Sequence, residues 1–217
     1  KPRPAFDVPD HDELLFTIAT DKEATGTSLS LYHKMAPSVD RKVSDYRKSM
    51  IEQLYSRMLN DRYNELLLKG NPPFTSAYAS KGGFVRAKDI YVLGMSTPED
   101  GVLRGYEALL IEAKRVKEHG FTASELERAK TNILRSMEQS YNEREKTRSE
   151  SHASEFVRNF LRHEPIPGIE IEYELYKKYL PTITVREVNK LTADLMPAKN
   201  RVVALSMPEK DGVVVPT

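Results

Sequence analysis

Twice in this chain a threonine stands three residues before a glutamate at the head of an apolar-periodic run. The first instance is Phe121–Leu126, FTASEL, and the second is Ile183–Val188, ITVREV. Such a pair forms a capping box, in which the Thr hydroxyl accepts from one free backbone N–H and the Glu carboxylate accepts from another. Phe121 with Leu126, and Ile183 with Val188, stand at the two positions of a hydrophobic staple. Each Thr cap is worth about 1 kcal/mol. Two helix starts are therefore fixed almost to the residue, and any fold for this chain must accommodate them.

The rest of the pattern is read around those starts. Leu14–Thr20 is a short apolar strand candidate, and DKEATG turns the chain after it. In Thr27–Met35, Leu29, Leu31, His33 and Met35 alternate with Ser28, Ser30, Tyr32 and Lys34, the period of a half-buried strand. A long helix is expected from about Asp40 to Lys69, with Val43, Tyr46, Met50, Ile51, Leu54 and Met58 on one face and Gly70, Pro72 and Pro73 ending it. Phe74–Ser80 and Ile90–Ser96 read as strands, with Gly82-Gly83 and Lys88-Asp89 marking turns or a bulge. Thr97-Pro98 opens a helix, cap followed by first-turn proline, with Val102, Leu103, Tyr106, Leu109, Leu110 and Ala113 as its buried stripe.

Gly120 closes that helix, and the first capping box starts one carrying Leu126, Ala129, Ile133 and Met137. Another has Ala153, Phe156, Val157, Phe160 and Leu161 on one side, and HEPIPG breaks it. A shorter helix is expected over Ile169–Leu180, and Arg201–Met207 ends the fold as a strand. Strands and helices are partly segregated. The expected class is α+β, a two-layer fold with a mixed, mostly antiparallel sheet and helices packed on one face. Residues 14–208 are expected to form one domain, with 1–13 a proline-bearing linker from a preceding domain and 209–217 a linker or tail. The opening KPRP lacks an initiator methionine, so the sequence is expected to be part of something longer.

Totals exclude several classes. The 217 residues carry 33 basic and 32 acidic side chains without a basic block, so nothing points to nucleic acid or an anionic membrane as partner. No apolar run approaches the roughly 20 residues of a membrane helix. The absence of cysteine removes disulfides, thiolate metal sites and cysteine nucleophiles while leaving the compartment open.

The search for chemistry is short. Of the five histidines, His11, His33, His119, His152 and His163, the closest pair is eleven apart, and neither H-E-x-x-H nor H-x-x-E-H occurs. In HASEF, Phe156 stands where a second imidazole would be needed, so His152 and Glu155 read as helix surface. His11 and His163 lie in proline-flanked segments and read as solvated. His33 falls on the apolar side of its strand and reads as a neutral core or interdomain histidine. G-x-S-x-G and phosphate-loop patterns are absent. Phe74, Tyr78, Phe84 and Tyr91 cluster on the middle strands, either as sheet packing or as the wall of a peptide groove.

Four ordered segments resemble the pitrilysin/insulinase type of zinc peptidase: IATDKEATGTSLSLYHK, LYSRMLNDRYNELLLKGNPPFTSAYAS, EALLIEAKRVKEHGFTASELERAKTNILRSM and LPTITVREVNKLTADLMPAKNRVVALSMPE. The resemblance implies a processing-peptidase-like fold in which several such domains enclose a chamber. The first domain carries H-x-x-E-H, zinc and a general-base Glu, a signature missing here. Family members also offer an Arg and a following Tyr that help position substrate. Arg62 stands at the Arg position, but an insertion and Phe74 occupy the Tyr region.

The resemblance thus implies a non-catalytic second domain of the N-terminal half of a bacterial zinc metallopeptidase, with the periplasm favoured over the cytoplasm. Its partners are other domains of the same polypeptide and a peptide substrate. Zinc is expected in the parent enzyme and no cofactor in this span, which is expected to be inactive alone. No catalytic or metal residue is expected here; Arg62, Phe74 and Tyr78 are the expected chamber-lining or substrate-contacting residues. Two alternatives stay open: a domain of a catalytically inactive scaffold or partner subunit of the same family, or a stand-alone peptide-binding module.

Overall fold

A computed structural model of the chain describes residues 4, 6–38 and 41–216. Five strands and seven helices follow one another as β1 (Leu15–Asp21), β2 (Thr27–Met35), α1 (Val43–Leu67), β3 (Ser76–Val85), β4 (Lys88–Thr97), α2 (Val102–His119), α3 (Ala123–Asn142), α4 (Ser149–Arg162), α5 (Ile169–Tyr179), α6 (Val185–Lys190), α7 (Thr192–Leu195) and β5 (Arg201–Pro208). The order and the α+β class match the sequence reading. Asp40, the expected start of α1, lies outside the described residues. The chain divides into two compact units: residues 1–37, 55–120 and 189–217, and residues 38–54 and 121–188.

The first unit holds the sheet, ordered β1-β5-β2-β4-β3. β1 runs parallel to β5 and every other pairing is antiparallel. The expected alternation in β2 is realised: Leu29, Leu31 and His33 are buried, and Ser28, Ser30, Tyr32 and Lys34 face the other way. Register aligns Leu31 with Leu93 and Val203, and Leu29 with Met95 and Leu205, so the three inner strands share one apolar face. Each fully buried Leu or Val contributes roughly 1.5–3 kcal/mol. Tyr55, Met58, Leu59 and Tyr63 of α1 are buried to 1% exposure or less in the same unit.

Two departures are informative. Gly82 and Gly83 lie inside β3, and the register shift falls between Gly83 and Val85, leaving the hairpin turn to Arg86-Ala87. The buried stripe of α2 is Val102, Gly105, Leu109, Glu112, Ala113 and Val116, whereas Leu103 is 71% and Leu110 36% exposed. Gly105 explains the rotation. A Cβ there would stand 2.8 Å from the Met95 sulfur and 3.0 Å from the Pro73 carbonyl, so the helix turns its one side-chain-free position towards the closest approach. Before α2 the chain makes a 3-10 turn at Glu99–Gly101, and no side-chain cap bond is formed there. The expected Thr97 cap is therefore replaced by a tighter turn.

Residues 9–13, read as linker from their composition, are bonded to the rim of the sheet. Lys34 Nζ donates to the Pro9 carbonyl at 2.7 Å, and Lys88 and Lys199 pair with Asp10 and Asp12. His11 N–H donates to Asn200 Oδ1 at 2.8 Å while Asn200 N–H donates to the His11 carbonyl.

The second unit is helical. Thr122 and Glu125 form the expected capping box, with Thr122 N–H donating to Glu125 Oε2 at 2.7 Å and Glu125 N–H to Thr122 Oγ1 at 3.3 Å. Thr184 and Glu187 repeat it at 2.8 and 3.3 Å. All four staple residues, Phe121, Leu126, Ile183 and Val188, are buried. Buried Lys130 reaches Glu127 at 2.9 Å and the Pro181 carbonyl at 3.3 Å, which ties α3 to the turn after α5. In α4 no residue is buried, and Phe156, Val157, Phe160 and Leu161 are exposed. No helix among the described residues is long and apolar enough to cross a membrane.

Thr122→Ala removes the hydroxyl that accepts from Glu125 N–H. Urea unfolding of the 217-residue chain is expected to show a loss of about 1 kcal/mol, and Thr122→Ser is expected to restore most of it.

Candidate functional site

The face of the sheet opposite the apolar one carries the most distinctive surface of the first unit. Register lines up Ser28 with Ser96 and Ser206, and Ser76 with Ser96, in one row across four strands. The next row aligns Ser30 with Gly94 and Ala204, and Gly94 with Tyr78. The one after aligns Tyr32 with Val92 and Val202, and Val92 with Ser80. The first two rows are thus serines and small residues around Gly94 and Tyr78, and the third brings Val92, which is buried, and Val202 beside Tyr32. Gly94 is needed where it stands: a Cβ would fall 2.4 Å from the Tyr78 ring, which lies across the glycine. Tyr78 is 46% exposed, and Phe84 packs with Tyr32 at a ring distance of 6.1 Å.

The three residues expected at the site are separated by the structure. Tyr78 belongs to this open face. Phe74 is 1% exposed and packs edge-on against Tyr63 at 6.2 Å; it also lies at the base of an open cleft of about 650 Å3 formed with Pro73, Thr97, Gly101 and Arg104. Arg62 points into the helix layer. Its Nη1 reaches Glu112 Oε1 at 3.2 Å and its Nη2 donates to the Gly120 carbonyl at 3.0 Å. Glu112, with 7% of its side chain exposed, also takes Arg115 Nη1 at 3.2 Å. One guanidinium therefore neutralises a buried carboxylate and meets the carbonyl just past the C-terminus of α2, where cations are favoured.

The sequence reading missed the serine rows. The alternation within β2 was visible, but which residues of β4 and β5 lie beside Ser28 and Ser30 depends on strand pairing. Gly94 in the middle of an apolar run was the available signal, since such a glycine marks close approach by another group.

No protein-family profile matches the chain. A curated relative from Arabidopsis thaliana, a zinc protease PQQL-like protein, is 29% identical over 192 residues, which make up 88% of this chain and 17% of the relative. The first half of the periplasmic protease PqqL from Escherichia coli superposes with a TM-score of 0.86 at 17% identity, over 95% of this chain and 44% of that one. A peptidase M16 inactive domain from Pseudomonas fluorescens gives a TM-score of 0.65 at 14% identity, over 96% of this chain and 46% of that one.

These likenesses agree with the resemblance to pitrilysin/insulinase peptidases read from the sequence. It spans under a fifth of the curated relative and less than half of each of these structures. The likeness to the solved structures establishes the fold.

The zinc that a pitrilysin/insulinase peptidase implies does not fit the donors among the described residues. Among the described residues no three His, Asp or Glu side chains are grouped so as to hold a metal ion. His33, the buried imidazole, is 3% exposed and has Tyr91 and Arg201 as its strand neighbours. Burial pushes its pKa down to about 4, a hydrogen bond with the Tyr91 backbone opposes this, and the Arg201 charge adds to the lowering. The ring is a neutral core histidine at pH 7.

Two predictions follow from this geometry. Because His33 titrates near 4 when folded and near 6.5 when unfolded, its contribution is complete above pH 6.5 and is lost as pH falls to about 4. Denaturant titrations between pH 7 and pH 4.5 are expected to show His33→Gln flattening this part of the pH dependence. Arg62→Ala leaves buried Glu112 with Arg115 alone, and thermal or urea unfolding is expected to show a loss of roughly 2–4 kcal/mol; an unchanged midpoint would assign Arg62 elsewhere.

Proposed function

We propose that residues 14–208 are a non-catalytic domain of a zinc metallopeptidase, the second domain of its N-terminal half. Its open sheet face forms part of the wall of the substrate chamber. The observation that carries the reading is the contrast between the two faces of one sheet. The rows of Ser28, Ser30, Ser76, Ser96 and Ser206 around Gly94 and Tyr78 carry no large aliphatic side chain and no charge that would select a substrate, while Val92 and Val202 lie one row further along. Backbone-like hydroxyls beside an exposed phenol suit transient contact with many peptides. Tyr78 is the substrate-facing residue, and Phe74 and Arg62 hold the wall from behind.

In this reading peptide hydrolysis belongs to a sister domain, which supplies the zinc, the water it activates and the general-base Glu. Residues 1–13 and 209–217 connect to sister domains. The likeness to a periplasmic protease supports a periplasmic setting. A second reading, a domain of a catalytically inactive subunit, is supported by the likeness to an M16 inactive domain. The parent sequence separates the two, since an H-x-x-E-H in the same polypeptide supports the first. A stand-alone peptide-binding module instead requires the 217-residue chain to bind extended peptides by itself.

Kinetics of the full-length protein on a peptide substrate test the wall. Tyr78→Ala is expected to raise KM by roughly two- to tenfold with kcat little changed, the signature of lost uniform binding. Zinc content and thermal midpoint should stay those of the parent. Phe74→Ala is expected to cost roughly 3–5 kcal/mol of stability. Unchanged kinetics for Tyr78→Ala would remove Tyr78 from the chamber.

A further inference from the structure

β3 lies at one edge of the sheet, with β4 as its single neighbour. An edge strand offers a row of free N–H and C=O groups to any extended chain that comes alongside. At Ala79, midway along β3, both groups are already engaged. The Ala79 N–H donates to Asn60 Oδ1 at 2.6 Å, and Asn60 Nδ2 donates to the Ala79 carbonyl at 3.0 Å. A primary amide carries the same adjacent donor and acceptor as a peptide unit, and only one orientation of it satisfies both bonds. Asn60, projecting from α1, therefore occupies the place of one residue of an added strand.

The consequence extends beyond one residue. Edge-facing backbone groups recur every second position, so those next in line belong to Ala77 and Lys81, each roughly 7 Å from Ala79. An extended chain that paired with two consecutive positions in the middle of β3 would have to use Ala79. Beyond Lys81 the register shift between Gly83 and Val85 bends the strand, a second device that ends pairing. The opposite edge is different: β1, Leu15–Asp21, has no bulge, no proline and no lysine.

We infer that Asn60 is a plug that closes the β3 edge to strand addition. The partner it excludes is a chain in β conformation, whether a peptide or the β3 strand of a second copy. Peptide contact by strand addition at this edge is thereby excluded. The inference rests on the Asn60 geometry alone and stands whether or not the face lines a chamber.

The test uses the 217-residue chain and Asn60→Ala, with a synthetic peptide of the β3 sequence SAYASKGGFV as probe. Hydrogen exchange followed by NMR is expected to show the Ala79 amide exchanging at least roughly tenfold faster in the variant, with the Leu93 amide of β4 unchanged. Sedimentation is expected to show self-association, or binding of the peptide, that the parent chain lacks. An Ala79 amide as protected as in the parent overturns the inference, and so does a faster amide with no gain in either association. Should Asn60→Ala fail to fold, Asn60→Asp, which keeps the shape and loses the donor, is read by the same two measurements.

Discussion

A sheet with one face apolar and the other bearing rows of serine imposes a single arrangement on the rest of the first unit. Leu29 and Leu31 can be buried only if β4 and β5 present Leu93, Met95, Val203 and Leu205 beside them, and the observed register does that. A slip of one residue would exchange leucine rows for serine rows along three strands. With roughly 1.5–3 kcal/mol at stake for each large side chain, no alternative register competes. The polar face is thus a product of the same pairing that makes the core.

The helix layer over that core is not purely apolar, and its Glu112, Tyr55 and Tyr63 are each matched. Glu112 is the cost of placing a carboxylate in the stripe of α2, and Arg62 with Arg115 offsets it. The Tyr63 hydroxyl donates to the Leu109 carbonyl at 3.3 Å, and Tyr55 shares a 3.2 Å bond with Thr192. Burial pushes the Tyr55 phenol up to about 12 and drives Tyr63 upward as well, so these two hydroxyls serve as neutral hydrogen-bonding groups. Tyr55 and Tyr91 also meet edge to face at 6.0 Å. Phenols and one paired guanidinium supply the polarity of this layer.

Local signals carried the sequence reading far. Both capping boxes, the bounds of β2, the ends of α2 at Gly120 and of α4 at His163, and the order of elements follow from interactions within a few residues. His163, with φ of 59°, and Gly120, with φ of 70°, show why such stops are legible: the backbone itself leaves the helical region there. What depended on distant partners was not legible. Leu103 and Leu110 fit the expected stripe of α2, yet Gly105 and Glu112 occupy it because Pro73 and Arg62 lie across from them. The apolar side of α4 was visible as a pattern, but its exposure was not. Nor could the sequence place Arg62, Phe74 and Tyr78 in three different settings, since α1 and β3 set those directions only after packing.

The separation of those three residues bears on how a wall domain differs from a reactive one. A reactive site converges its polar groups on one point so that they act together on a substrate. Here the charged groups converge on each other: Arg62 on Glu112, Lys130 on Glu127 and the Pro181 carbonyl, Arg47 on Glu187 at 2.7 Å. The Arg47 contact first, and then the capping-box bonds, hold the Glu187 carboxyl down at about 2, so even this strong perturbation belongs to an ion pair at a helix start. In the rows of Ser28 and Ser30 the side chains on the second face of the sheet are serines, Ala204 and the phenol of Tyr78. They can touch a chain passing over them without committing a proton or a charge. Polarity spent on internal ties, with uncharged side chains in the serine rows, is the arrangement that the proposed supporting role calls for.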